Sequence, residues 1–145
     1  MAVITTFSEK QREKRWSFER KVLREISLTE VRKNVQEHFE TLFPFQFLTH
    51  PFLIDPCIDM AIDAYLVGAE YSRHGYFGET KEMVRERCDE EVREIRLQLF
   101  DLLNGWMSPN ELSMDSLYIA VDMFVEEWWD KGFYKGKERY RLRLH

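Results

Sequence analysis

Apolar residues recur along this chain at helical steps, and strict alternation appears only in a short run near the end. From Ser8 the stretch Glu9-Lys10-Gln11-Arg12-Glu13-Lys14-Arg15 is polar all round, and an apolar stripe begins only at Phe18, Val22, Leu23 and Ile26. A first helix is therefore expected to dock by its second half. Ser27-Leu28-Thr29-Glu30 reads as a capping box, in which the Ser27 hydroxyl accepts from the Glu30 N–H while the Glu30 carboxylate reaches back. The helix it opens carries Leu28, Val31, Val35, Phe39 and Leu42 on one face, and Pro44 ends it by disfavouring helical geometry at Phe43. Pro44 and Pro51 then exclude a regular helix across an aromatic-rich connection, whose phenylalanines are expected to lid the core.

Asp55-Pro56 supplies a cap followed by proline at the first helical position, where a missing N–H costs nothing. The third helix predicted there shows Ile58, Ala61, Ile62, Tyr65, Leu66 and Ala69, and closes at Gly75 after Arg73 and His74. Between Glu79 and Met107, Cys88, Val92, Ile95, Leu99, Leu102 and Trp106 advance by alternating steps of four and three, a heptad seam that predicts one long central helix. Ser108-Pro109-Asn110 breaks it. A further helix begins near Ser113 or Asp115, carries Leu117, Val121, Phe124 and Trp128, with Tyr118, Val125 and Trp129 widening the stripe, and is expected to end near Gly132. Phe133 to His145 then reads as a short helix to Arg139 followed by an extended basic arm, because Tyr140-Arg141-Leu142-Arg143-Leu144 alternates.

The chain has 145 residues, 44% hydrophobic and 32% charged, which suits one packed domain over 1–145 and excludes a disordered tail. Six glycines and four prolines are too few for the many turns of an all-β protein. The predicted fold is all-α: a single-domain bundle of five or six helices with its long helix near 79–107 and a basic C-terminal arm. Two cysteines make no disulfide framework, and Met1 to Lys10 lacks the pattern of a secretory signal, so a reduced, cytoplasmic protein is expected. The longest stretch without Lys, Arg, Asp or Glu is the 14 residues from Thr41 to Ile54, broken by two prolines, so no membrane span is predicted.

The net charge of −5 is unevenly spread. Residues 1–24 carry +4 and 131–145 carry +5, leaving −14 on the body between them. Basic ends around an acidic body either fold back onto it or seek a polyanion; folding back needs no partner and is the favoured reading.

Candidate chemistry is sparse. Glu91-x-x-Glu94 and Glu127-x-x-Asp130 together match the paired acidic motifs of a Mg²⁺-dependent all-α nucleoside triphosphate pyrophosphatase, since carboxylates three apart share a helix face and hard oxygens suit Mg²⁺. With 26 acidic residues in helical sequence such spacings also arise freely as solvated faces. The rows Asp55/Asp59/Asp63 and Asp122/Glu126/Asp130 read the same way. The Glu-x-x-His pairs of a di-iron bundle are absent, and Gly132-Phe133-Tyr134-Lys135-Gly136-Lys137 is too short for a phosphate loop. Tyr76 and Phe77, bracketed by Gly75 and Gly78, form either a tight turn over the bundle's end or a partner loop. Trp128 and Trp129 point about 100° apart on one helix, so one filling the core leaves the other toward a flank suited to an interface. Arg139, Arg141 and Arg143, interleaved with Tyr140, have a composition used to bind nucleic acid, but the acidic body opposes a polyanion.

The stretches Asp55-Pro56-Cys57-Ile58-Asp59-Met60-Ala61-Ile62-Asp63-Ala64-Tyr65-Leu66-Val67-Gly68, Gly75-Tyr76-Phe77-Gly78-Glu79 and Trp128-Trp129-Asp130-Lys131-Gly132-Phe133 resemble a family of small uncharacterised helical proteins from Bacillus-type bacteria. The resemblance spans most of the chain. It implies a bacterial cytoplasmic origin and a stand-alone helical domain, and carries no activity, cofactor or catalytic residue. The function expected is a protein-interaction or regulatory module without a cofactor, self-associating as a homodimer and meeting an unknown protein partner. Its candidate surfaces are the Cys88–Trp106 seam and the Trp128/Trp129 helix. The pyrophosphatase, with Mg²⁺, and a nucleic-acid-binding tail stand as alternatives.

Overall fold

The computed structural model of the protein describes residues 14, 17–106 and 114–142. Among them every regular element is helical. Residues 17–23 form α1, followed by α2 (Leu28–Val35), α3 (Pro44–Thr49), α4 (Ile54–Tyr76), α5 (Lys81–Arg87), α6 (Asp89–Asn104) and α7 (Met114–Arg141). A π-helical turn, Gln36–Glu40, prolongs α2, and a 3₁₀ turn, Pro51–Leu53, leads into α4.

Half of the predicted capping box is present. Ser27 Oγ accepts from the Glu30 N–H at 3.3 Å, but the Glu30 carboxylate turns away to Lys131 Nζ at 2.9 Å. Val31, Val35 and Phe39 are buried as their spacing predicts, whereas Leu28 and Leu42 at the ends of the stripe are exposed. The two prolines do not abolish helix after Phe43. Each occupies the first position of a short helical turn, where proline is tolerated.

The two longest helices, α4 with 23 residues and α7 with 28, pack against each other along most of their length and form the axis of the bundle. Both run past the glycines expected to end them. At Gly132 an added Cβ would overlap the Tyr65 carbonyl oxygen and stand 2.8 Å from its carbon. At Gly68 it would stand 2.8 Å from the Phe133 nitrogen. These glycines set how closely two backbones approach, and the tertiary contact outweighs the roughly 1 kcal/mol each costs a helix. The true left-handed residue after α4 is Gly78, at φ 115°.

The predicted long helix at 79–107 is two helices bent at Cys88, whose φ of −109° and ψ of 20° leave the helical region. No glycine or proline marks the bend; the Cys88 thiol lies within hydrogen-bond reach of the Val84 and Arg85 carbonyls and accepts from Trp129 Nε1 at 3.1 Å. After the bend Val92, Ile95, Leu99 and Leu103 are buried, so Leu103 takes the place expected of Leu102. A straight helix drifts about 20° per heptad against a 3.5-residue repeat, which carries Leu102 off the seam. This bend and the short α3 bring the described helices to seven where five or six were expected.

Candidate functional site

The structure removes both tryptophans from the surface. Trp129 stacks on Phe133 with centroids 5.2 Å apart, and Trp128 Nε1 donates to the buried Asn34 Oδ1 at 2.9 Å. Both rings are buried, while Ile119, Met123 and Tyr134 on the same helix are exposed. The seam from Cys88 to Leu99 is likewise covered by the protein's own helices, and only Leu102 and Trp106 at its end reach solvent. Tyr76 stacks on Tyr140 at 5.9 Å, while Phe77 is 78% exposed.

The basic end folds back as its charge pattern suggested. Arg139 is only 6% exposed and donates to Glu25 Oε1 from Nε at 3.1 Å and from Nη2 at 2.5 Å. The predicted extended arm is thus helical through Arg141, because Gly136 and Phe133 hold the end of α7 against α4. Arg139 is thus tied to Glu25 through Nε and Nη2 instead of standing on a projecting tail. Arg141 is exposed, and Arg143 lies outside the described residues.

The four carboxylates considered for Mg²⁺ do not converge. Glu91 and Glu94, on α6, line one cavity, and Glu127 and Asp130, on α7, line another. Each pair has local work. Tyr71 Oη donates to Glu91 at 2.9 Å, and that bond, with burial, pushes the phenol up to about 12. Glu127 lies 2.6 Å from His38 Nε2, on the π-helical turn; burial pushes its carboxyl up, but the bonds to His38 and Asn34 outweigh this and hold it below the ordinary range. Asp130 faces Lys81 at 3.5 Å. Among the described residues no three His, Cys, Asp or Glu side chains are placed to share a metal ion. Helix-face spacing fixes pairs within a helix but not which pairs meet, and here Glu91/Glu94 and Glu127/Asp130 line different cavities.

The row Asp122/Glu126/Asp130 proves to be a fastening. Asp122 pairs with Arg96 at 3.2 Å, Glu126 with the fork of Arg85, and Asp130 with Lys81, so one acidic edge of α7 meets basic residues of α5 and α6. Such partly exposed pairs fix orientation more than they add stability.

Two surface features were not read from the sequence. One is an apolar end of the bundle. Phe43 and Phe47 are buried as expected, but Phe45 is 64% and Leu48 80% exposed. Beside them the half-exposed rings of Phe52 and Trp106 meet edge to face at 5.0 Å, with His50 4.9 Å from Trp106. Helical periodicity could have exposed this, since Phe45 and Phe47 lie about 200° apart in a helix and cannot both face one core. The other is a cavity of about 730 Å³ between α1, α4, α6 and the end of α7. No helix among the described residues is long and apolar enough to cross a membrane.

Comparison with known proteins gives a family and no activity. The family described as "Protein of unknown function (DUF2521)" matches residues 1–145. An uncharacterised protein of Bacillus subtilis (strain 168), YbaK, is 32% identical over 146 residues, covering 99% of each chain. No solved structure matches. The chain belongs to the DUF2521 family.

Proposed function

We propose that this DUF2521 member is a single helical protein-interaction module of the reducing cytoplasm, and that it pairs with a second copy of itself through the apolar end where α3, the 3₁₀ turn and the last turn of α6 meet. The observation that carries the reading is the Phe52–Trp106 pair, edge to face and half in water, with Phe45 and Leu48 exposed on the adjoining α3. Apolar area left exposed forgoes roughly 25 cal/mol per Å², and contiguous patches of this kind mark interaction surfaces. Both cysteines are free and buried, with burial pushing the Cys57 thiol up to about 12 and the Cys88 thiol up to about 11, which suits a compartment that forms no disulfides.

Light scattering of the full chain at low and high salt tests the pairing. A dimer is expected at both, because apolar association is not screened as charge pairing is. Leu48→Asp is expected to give a monomer with an unchanged helical circular-dichroism spectrum, whose melt no longer depends on protein concentration. A wild-type monomer at high protein concentration, or a dimer indifferent to Leu48→Asp, overturns it.

A further inference from the structure

The 730 Å³ cavity is continuous in its lining with a second of about 270 Å³, since Lys14, Phe18 and Tyr140 border both. The two differ in charge. The larger is lined by five acids, Glu19, Asp63, Glu70, Glu91 and Glu94, against two bases, Lys14 and Arg73, while the smaller has Lys14, Lys21 and Arg139 and no acid. Phe18 borders both, and Leu66, Val67 and Ile95 add apolar lining to the larger.

Each end shows an electrostatic debt. Burial, and then the charges of Asp59 and Glu19, push the Asp63 carboxyl above its ordinary range, a crowding that a cation would relieve. At the other end Arg139 is buried and its Nη1 has no hydrogen-bond partner, although its other nitrogens bind Glu25. An unsatisfied buried donor is costly, and an acceptor brought beside it relieves that cost. Glu25 already balances the guanidinium, so the net positive charge of this end comes from Lys14 and Lys21.

We propose that the joined groove binds an extended zwitterion of peptide type, its amine among Asp63, Glu70 and Glu94, its carboxylate beside Lys21 and Arg139, and its aliphatic part on Phe18 and Leu66. A ligand of one sign fits worse: the carboxylate end repels an anion, and a simple amine leaves the Arg139 end unanswered. This site is separate from the apolar end of the bundle and stands or falls independently of the pairing proposed there.

Calorimetric titration of the full chain with Ala-Leu-Ala carrying free termini, with its N-acetyl form and with its C-terminal amide tests the assignment. The free peptide is expected to bind, and each blocked form to bind at least about tenfold more weakly, the loss of one charge contact of roughly 1.4 kcal/mol. Lys21→Gln is expected to erase the preference over the amide, and Glu94→Gln to shrink the preference over the N-acetyl form, both with unchanged melting. No binding at millimolar peptide, equal binding of free and blocked peptides, or selectivities untouched by both variants overturns the proposal.

Discussion

The ring pairs Trp129–Phe133 and Phe52–Trp106 are equally close, 5.2 and 5.0 Å between centroids, yet the first is sealed in the core and the second stands half in water. The difference lies in what passes over them. Trp129 and Phe133 lie on α7 against Gly68 and Gly75 of α4, whose missing side chains let a 28-residue helix sink onto a 23-residue one. Phe52 lies in the three-residue 3₁₀ turn beside the six-residue α3, and Trp106 follows the end of α6. No long helix covers that end among the described residues. Aromatic content therefore says little about burial by itself; small residues opposite the rings decide it.

Gly132→Ala probes the sealed side most severely. Overpacking costs about 1–3 kcal/mol, and because the obstacle here is Tyr65 backbone, about 3 kcal/mol is expected in urea unfolding. Gly105→Ala is the control. Its Cβ would meet nothing closer than 3.5 Å at φ −65°, so a gain of about 0.5–1 kcal/mol is expected. If Gly132→Ala matched the wild type, the close approach of α4 and α7 would be wrong.

Replacing one tryptophan on each side sharpens the contrast. Trp129→Phe removes buried volume and the donor to Cys88 Sγ, and is expected to cost about 2 kcal/mol. Trp106→Phe is expected to stay within about 0.5 kcal/mol. Equal losses from the two would erase the distinction.

A smaller effect tests the polar seam between the regions, where His38 packs edge-on against Phe124 at 5.6 Å and meets Glu127. The Glu127 carboxyl is lowered in the folded protein, so its ionised form adds stability above the unfolded carboxylate pKa of about 4.3, and this is lost as pH falls through the lower folded value. Glu127→Gln should thus lose under about 1 kcal/mol at pH 6, discounted for exposure, with the gap to wild type closing toward pH 3. A gap that widened in acid would reverse the sign. Smallest of all, Leu48→Asp should leave monomer stability within about 0.5 kcal/mol while abolishing pairing.

Helix faces were legible in the sequence wherever a four-three spacing of bulky residues met a cap, as in Ser27 with Val31 and Val35, or Leu117 with Val121 and Phe124. Glycine was misread. Gly75 and Gly132 resemble helix stops, and only a partner helix opposite them shows that they are contact points. The acidic row of α7 was legible as a row but not as a fastening, since its bases lie on α5 and α6. The groove was invisible for the same reason: Lys21, Asp63, Glu94 and Arg139 are far apart in the chain.

Periodicity and capping, being local properties, made an all-helical protein and the core face of most helices legible in the chain, Trp128 included, while net charge favoured the return of a basic end without deciding it. Tertiary packing decided that return through Arg139 and Glu25, buried Trp129 beside Trp128, left the Phe52–Trp106 end exposed, bent the seam at Cys88 and set Glu91 and Glu127 at different cavities. Those outcomes depend on which helix lies opposite which, and helical spacing fixes a residue's direction on its own helix without naming the neighbour it meets.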